Sequence, residues 1–292
     1  LDDVRYRFAA SGSASFAPSQ PVGLVTDAME PCDCCQPDME ISQDGDIYIA
    51  YRNNIQNYRD TFLSVKRYGD DGFSEGYQVS HFQDHIPYCP SSGPDMDIGS
   101  DKIAVAYTVY ADDNVYTSVS DLDDIDFSES VNTYPGGSGK QNYPFINIEE
   151  ELFITWANYI NNNNGNWDVY FGIRDLESNT MSNIQKINDD ETNFVQKDAV
   201  IYKYENDLYI YWSDQRNNNY EIYFSKGVGQ SDLLGDVNQD QILNIQDIIM
   251  LVNFVLSIDN PSDQQFDAGD INGDEILNIL DIIATVNIIL DN

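Results

Sequence analysis

The chain has 292 residues and a formal net charge of −36, because 50 acidic side chains face only 14 basic ones. Nucleic-acid backbones are bound by clustered Lys and Arg, so this charge excludes nucleic acid as the natural partner and disfavours an anionic membrane surface. Apolar residues make up 41% of the chain and aromatic residues 12%, which is enough for a packed core. No apolar run reaches the ~20 residues of a membrane span.

One strand pattern occurs four times in the first 230 residues. Apolar residues alternate and lead to an aromatic residue in segments 46–51, 102–107, 151–156 and 207–212, whose second residues lie 56, 49 and 56 positions apart. Such alternation is typical of β-strands. An earlier and a later strand are predicted around each segment, and a weaker fourth strand in three of the units.

Four strands per unit of about 50 residues predict the blades of a β-propeller, with the first strand of each blade lining a central channel. Segments 4–8 and 16–22 are interpreted as the last two strands of a further unit. The N-terminus would then complete the fourth repeat and close a ring of about five blades, which removes exposed sheet edges. The alternative is a β-sandwich with coincidental spacing.

Segment 212–223 has the pattern of a propeller repeat signature, and segments 68–73 and 120–127 are degenerate forms of the Asp box Ser-x-Asp-x-Gly-x-x-aromatic. Through these segments, residues 1–230 resemble the BNR or sialidase-like propeller superfamily. The resemblance implies a propeller fold. Sialidase activity does not follow, because the family's arginine triad and Tyr-Glu nucleophile pair are not found and no Arg lies in an Arg-Ile-Pro motif. We therefore expect a protein that is not an enzyme of this kind.

All the cysteines and histidines fall in two loops that the repeat alignment places at neighbouring blades. Both loops enter the channel rim from the same face, so we expect them to be close in space. One interpretation is a pair of disulfides of undetermined connectivity, as in an oxidising compartment. The other is a copper or zinc site built from thiolates and imidazoles. The residues concerned are Cys32, Cys34, Cys35, Cys89, His81 and His85.

The loops between the second and third strands of the units should open on that same face. Their amides, aromatic rings and arginines suit the recognition of a sugar or a peptide, although solvated loop tips have the same composition. The candidate ligand-binding residues of this rim are Arg52, Tyr58, Arg59, Trp156, Trp212 and Arg216.

The stretch 235–292 differs from the rest, with ten Asp, one Glu and no basic residue. It contains two twelve-residue loops, 236–247 and 270–281, each followed by an apolar segment at helical spacing. Oxygen donors stand at positions 1, 3, 5, 9 and 12 and a backbone carbonyl at position 7, which is the EF-hand spacing for calcium. The predicted ligands are Asp236, Asn238, Asp240, Ile242, Asn244 and Asp247 in the first loop, and Asp270, Asn272, Asp274, Ile276, Asn278 and Asp281 in the second.

This tandem resembles a dockerin type I domain, over residues 235–292. The resemblance implies two bound calcium ions and a cohesin-like partner, each loop having only a following helix. At the family's recognition positions stand Ile245-Gln246 and Ile279-Leu280, more apolar than the common Ser/Thr pair. The partner could therefore also be a different surface protein, or the domain could dock onto the chain's own propeller.

Together these patterns predict a mainly β protein of two domains: a propeller over 1–230 and a small α-helical dockerin-like domain over 235–292. We expect it to be exported to the cell surface, with its signal peptide removed, and to serve adhesion, scaffolding, self-assembly or glycan binding without catalysis. The alternatives are a polysaccharide-acting hydrolase or lyase, and a copper-handling or redox protein that uses the cysteines.

Overall fold

A computed structural model describes residues 4–7, 9, 15–22, 30–74, 76–160, 166–190, 194–204, 207–228, 234–238, 242–274 and 276–291. The chain divides into two compact units. The larger one comprises Leu1–Ile201 with Ile210–Ser225, and the smaller one Tyr202–Tyr209 with Lys226–Asn292. The first is built from β-strands, and the C-terminal part of the second holds the helices. The expectation of a mainly β chain with a small helical domain is confirmed at this level.

The strands form consecutive antiparallel sheets in which neighbours in sequence are neighbours in space. The first sheet contains β3 (Asp38–Ile41), β4 (Ile47–Arg52), β5 (Thr61–Lys66) and β6 (Tyr77–Gln78). The second contains β7 (Asp95–Ile98), β8 (Lys102–Val109), β9 (Asn114–Asp121) and β10 (Val131–Asn132). The third contains β11 (Lys140–Ile148), β12 (Glu151–Ile160), β13 (Asn166–Asp175) and β14 (Met181–Lys186). The fourth contains β15 (Gln196–Tyr204), β16 (Asp207–Asp214) and β17 (Glu221–Val228).

Consecutive sheets bury their apolar faces against each other. One core cluster joins the first two sheets and contains Tyr48, Leu63 and Val105. Another joins the second and third sheets and contains Ala104 and Trp156. Because strand side chains alternate between faces, the second sheet supplies one face to the core shared with the first sheet and the other to the core shared with the third.

The N-terminal strands and the fourth sheet differ from the predicted ring. β1 (Arg5–Tyr6) and β2 (Gln20–Pro21) pair with each other as a two-stranded sheet, and Val22 packs with Ile49 and Tyr51 of the first four-stranded sheet. The fourth sheet has three strands in the part of the chain that the structure describes. Within that part, no closed ring of five blades is formed, so the predicted blade number is not confirmed.

Three helices follow in the described part of the chain. α1 (Ile245–Val255) and α3 (Ile279–Asp291) occupy the two predicted helical segments. α2 (Asp263–Gly269) precedes the second loop, so the expectation that each loop has only a following helix is wrong. Its N-cap is Ser262, which accepts a hydrogen bond from the backbone amide of Gln265 while the Gln265 side chain accepts one from the Ser262 amide. None of the described helices is both long and apolar enough to span a membrane.

Candidate functional site

The first predicted calcium loop is closed by its last acidic residue. Asp247 is fully buried. Its carboxylate accepts hydrogen bonds from the backbone amides of Asn238, at 3.1 Å, and Asn244, at 2.9 Å. Asn244 in turn caps α1 by accepting from the Gln246 amide at 2.8 Å. The end of the loop and the start of the helix are therefore one hydrogen-bonded unit. Asp240, the predicted fifth-position ligand, lies outside the described residues.

The second loop repeats this arrangement atom for atom. Asp281 is fully buried and accepts from the amides of Asn272, at 3.4 Å, and Asn278, at 2.9 Å. Asn278 accepts from the Leu280 amide at 2.8 Å. Two loops 34 positions apart thus share one internal geometry, which independent chance acidic segments would not produce.

The donor set of these loops fits a hard divalent cation. Besides Asp247 and Asp281, Asp236 is buried, with 3% of its surface exposed. Residues 235–292 contain no Lys or Arg to balance these carboxylates. Buried carboxylates need a compensating positive charge, and calcium takes carboxylate, amide and carbonyl oxygens of the kind that both loops present. The residues present therefore fit calcium.

Matching apolar side chains stand exposed at the start of the two long helices. Ile245 and Ile279, the first residue of each helix, are both 64% exposed. Ile249 and Ile283, one turn later, are 56% and 51% exposed, and Leu280 is 57% exposed. Paired apolar residues that remain in water on two related helices indicate an interaction surface.

The cysteine loops meet, as the repeat alignment predicts. Cys34 and Cys89 form a disulfide, and Cys32 and Cys35 are free and buried. The Cys32 sulfur lies 3.6 Å from the Cys34 sulfur and accepts a hydrogen bond of 2.8 Å from Nη1 of Arg59. A hydrogen bond from Cys35, followed by the backbone of Cys34 and the charge of Arg59, lowers the pKa of Cys32 to about 6. The hydrogen bond to Cys32 and burial raise the pKa of Cys35.

The two histidines do not join this cluster. Nε2 of His81 lies 3.2 Å from the backbone carbonyl of Phe127, and the ring of His85 packs edge-on against Tyr58, with centroids 5.1 Å apart. The group of possible metal-ligating atoms found among the described residues is Cys32, Cys34 and Cys35. This corrects the predicted set of thiolates with imidazoles, since both rings are engaged elsewhere and Cys34 is in a disulfide.

A cavity of about 270 Å³ is lined by residues of the first strand of each of the four sheets, or by residues directly ahead of it. Its wall includes Asp38, Asp95 and Asp198. Burial, followed by the negative charges of Asp38, Asp97 and Glu40, raises the pKa of Asp95 well above its usual range. Burial also raises the pKa of Asp38 and of Asp97. These carboxylates are not among the site residues predicted from the sequence, although the Asp-Met-acidic-Ile pattern repeated in β3 and β7 is visible there.

Most of the predicted ligand rim is buried, which corrects that prediction for four of its six residues. Arg52, Arg59, Trp156 and Trp212 expose 2%, 7%, 0% and 4% of their surfaces. The arginines are used inside the fold, where Arg52 donates to the backbone carbonyls of Arg59 and Thr108, both at 3.0 Å.

The other two rim residues lie nearer the surface. Tyr58 is 48% exposed. Arg216 has 17% of its side chain exposed and forms ion pairs with Asp214 and Asp189, each at 2.7 Å.

Residues 234–290 match the family model described as Dockerin type I domain, and this part of the chain is a dockerin domain. None of the curated proteins matches the sequence. A protein of unknown function from Dyadobacter fermentans is similar in structure, at 11% identity over 71% of this chain and 68% of that one, with a TM-score of 0.50. This likeness concerns the fold alone.

Two arabinanases are similar in structure with lower TM-scores. An exo-1,5-α-L-arabinanase from a bovine ruminal metagenomic library has 13% identity over 73% of this chain and 82% of its own, with a TM-score of 0.42. An α-L-arabinanase from Penicillium chrysogenum, complexed with arabinobiose, has 11% identity over 68% and 65%, with a TM-score of 0.47. Neither of these two enzymes is a sialidase, and TM-scores of 0.42 and 0.47 do not extend their activity to this chain.

Proposed function

We propose that the chain is an extracellular, surface-associated component that docks through its C-terminal domain onto a cohesin-bearing assembly, while its β region presents a ligand-binding cavity. Dockerin type I domains bind cohesins. The observation that carries the proposal is the duplication itself: two loops with the same buried closing aspartate, each followed by a helix whose first residue is an exposed isoleucine.

The proposal includes two calcium ions, one per loop. Each ion would be held by the side-chain oxygens at positions 1, 3, 5 and 12 and by the carbonyl at position 7, with position 9 contributing directly or through water. In the second loop the backbone already holds this shape, because the Asp274 amide donates to Asp270 at 3.1 Å and to Asn272 at 2.9 Å. Calcium would replace mutual repulsion of these carboxylates with attraction, so the domain folds with its metal.

The cohesin-binding surface would be the exposed apolar set at the starts of α1 and α3. Because Ile245 and Ile279 occupy equivalent positions and are equally exposed, either helix could present a similar face. Burying such a surface against a partner stabilises the complex by ~25 cal/mol for each Å² of apolar area removed from water. The apolar character at these positions selects a cohesin whose facing residues are also apolar, rather than one that recognises hydroxyl groups.

The β region, with a domain boundary between 230 and 235, would resemble a propeller in which the successive sheets are the blades. Supporting this, residues at or just ahead of the start of β3 and β7, and residues within β11 and β15, all line one cavity, as the first strands of blades around a common axis would. A cavity of about 270 Å³ is the size of one small sugar or a short peptide side chain. The ligand would enter there.

Binding without catalysis is favoured over glycoside hydrolysis by how the carboxylates of this cavity are used. Both oxygens of Asp38 accept backbone amides, from Met39 at 2.9 Å and Met96 at 2.8 Å. Asp95 accepts from the Ile146 amide at 2.8 Å. A hydrolase needs an acid and a base that exchange protons with substrate, whereas these groups hold neighbouring strands. Turnover of a glycan panel by the full chain would establish the hydrolase instead.

The docking proposal is tested with the full chain and an immobilised type I cohesin, in calcium and after chelation. We expect binding in calcium, loss of binding with chelator, and weaker binding of Ile245→Asp combined with Ile279→Asp. Ile258→Asp is the matched control, because Ile258 is equally exposed at 64% but lies outside the duplicated positions. Undiminished binding after chelation, or an equal loss in the control, contradicts the proposal.

A further inference from the structure

The buried thiol of Cys32 lies against a disulfide, and this pair has no role in the proposed docking function. Cys32 Sγ is 3.6 Å from Sγ of Cys34, which is joined to Cys89. Thiol–disulfide exchange requires a thiolate within reach of a disulfide sulfur and a sulfur that can leave. Both conditions are met within this one loop cluster.

Cys32 is held in place and its negative charge is stabilised. Its backbone amide donates to the carbonyl of Arg52 at 2.8 Å, and Arg59 donates to its sulfur at 2.8 Å. Arg59 is itself anchored, because its Nε donates to the Ile86 carbonyl at 2.9 Å. A guanidinium fixed against a thiol favours the thiolate, consistent with the lowering of the pKa of Cys32 to about 6 by Cys35 and Arg59.

The two sulfurs of the disulfide differ in surroundings. Cys34 faces the buried thiol and is half-buried, whereas Cys89 is exposed and its sulfur lies 3.6 Å from the hydroxyl of Ser91. A leaving thiolate is better solvated at Cys89 than inside the cluster. Geometry distinguishes Cys32 as the nucleophile, because its sulfur lies 3.6 Å from Cys34 Sγ and 2.8 Å from the Arg59 guanidinium.

We propose that Cys32 is the internal nucleophile of a thiol–disulfide exchange that turns Cys89 into a free surface thiol. The Cys32 thiolate attacks Sγ of Cys34, a Cys32–Cys34 disulfide forms, the Cys34–Cys89 bond breaks, and its electron pair leaves on Cys89 Sγ. One thiolate is consumed and one produced, so no external oxidant or reductant is needed. The site is thus a modification site at Cys89, controlled by Cys32.

The test is trapping of Cys89 in the full chain, purified without reductant in chelator. N-ethylmaleimide is added at concentrations where the labelling rate no longer depends on its concentration, and the products are mapped as peptides without reduction. We expect labelled Cys89 together with a Cys32–Cys34 disulfide.

Variants separate this exchange from a merely accessible disulfide. Cys32→Ser should reduce Cys89 labelling at least about tenfold, because only the thiolate attacks. Cys35→Ser is the matched control and should label within a few-fold of wild type, its hydroxyl still donating to Cys32. Arg59→Gln, which removes the guanidinium held 2.8 Å from the Cys32 sulfur, should slow the labelling of Cys89. Circular dichroism confirms that each variant is folded.

Two results would overturn the proposal. One is wild-type protein whose Cys89 stays unlabelled in the native state and reacts only after prior reduction. The other is a Cys32→Ser variant that labels as fast as wild type.

Discussion

The carboxylate of Asp95, at the start of β7, accepts a hydrogen bond of 2.8 Å from the backbone amide of Ile146 on β11, in the next sheet. The same bridge joins the preceding pair of sheets, where Asp38 of β3 accepts from the Met96 amide at 2.8 Å. Asp97 repeats it once more with the Ile148 amide, also at 2.8 Å. Side-chain carboxylates therefore connect the first strands of successive sheets, which have no backbone ladder between them.

These carboxylates predict a stability that falls as the pH rises. An aspartate in an unfolded chain titrates near ~3.9, and burial raises the pKa of Asp95 above that value in the fold. The folded state therefore binds more protons between the two pKa values, and its stability decreases with pH across that interval. Asp95→Asn keeps an accepting oxygen for Ile146 and removes the titration.

We expect the melting temperature of Asp95→Asn to exceed that of wild type at pH 7.5 and to approach it at pH 4. Asp71→Asn, at an exposed position, is the control and should show no such pH-dependent difference. Parallel melting curves for wild type and Asp95→Asn across this range would mean that the carboxylate carries no buried charge.

At Gly93, beside the disulfide, the fold leaves no room for a side chain. A Cβ at this position would lie 1.7 Å from the backbone carbonyl oxygen of Gln36, and backbone on both sides must move to relieve it. Gly93→Ala should lower the free energy of unfolding of the β region by ~2–3 kcal/mol or more, the cost of overpacking. Gly72→Ala, where a Cβ meets nothing within 4 Å, should change it little. Urea unfolding followed by intrinsic fluorescence measures both, and equal midpoints would contradict the close approach.

The buried guanidinium of Arg174 joins the third sheet to the second. It is 2% exposed and donates to the carbonyl and hydroxyl of Thr117, at 3.0 and 3.1 Å, and to Asn179 at 2.7 Å. Lysine cannot reproduce this planar fork. Arg174→Lys should cost ~1–3 kcal/mol in the free energy of unfolding, since a buried acceptor loses its donor. Lys102→Arg, at an ion pair on the surface, is the control for exchanging the two cation types, and a loss of the same size there would contradict the role of the fork.

We expect the last aspartate of each loop, Asp247 or Asp281, to contribute to the calcium affinity of the C-terminal domain. Each of Asp247 and Asp281 offers both oxygens to loop amides, and an asparagine would turn an amide donor toward one of them. Asp247→Asn and Asp281→Asn should each weaken one calcium site at least about tenfold, equivalent to ~1.4 kcal/mol. Asp259→Asn, exposed and outside both loops, should leave calorimetric calcium binding unchanged. Unaltered affinity in both loop variants would show that position 12 is not a ligand.

Strong local periodicity made much of the fold predictable from the sequence. The four central strands of the repeats and the helices α1 and α3 are where alternation and helical spacing place them. The short helix α2 was missed because its apolar content is low, although the Ser262 and Gln265 capping pair was present in the sequence. The closure of the ring could not be established from spacing, since it depends on pairing between distant ends of the chain.

The candidate sites could be predicted from the sequence where their residues lie close together along the chain. They could not be predicted where the residues are far apart in sequence. The calcium loops lie within twelve consecutive residues. By contrast, the contact of Arg59 with Cys32 joins residues 27 positions apart, and no sequence pattern predicts it. Trp156 and Arg52 were assigned to a ligand rim by composition, but the second sheet packs against Trp156 of the third sheet and accepts a hydrogen bond from Arg52 of the first. Burial of that kind depends on packing between repeats, which a single repeat does not encode.

Native mass spectrometry of the full chain, in calcium and after chelation, tests the central claim most directly. The account predicts a mass increase of two calcium ions, both removed by chelator, with only one retained at comparable concentration by Asp281→Asn. A chain that carries no calcium while its helices remain folded would contradict the account.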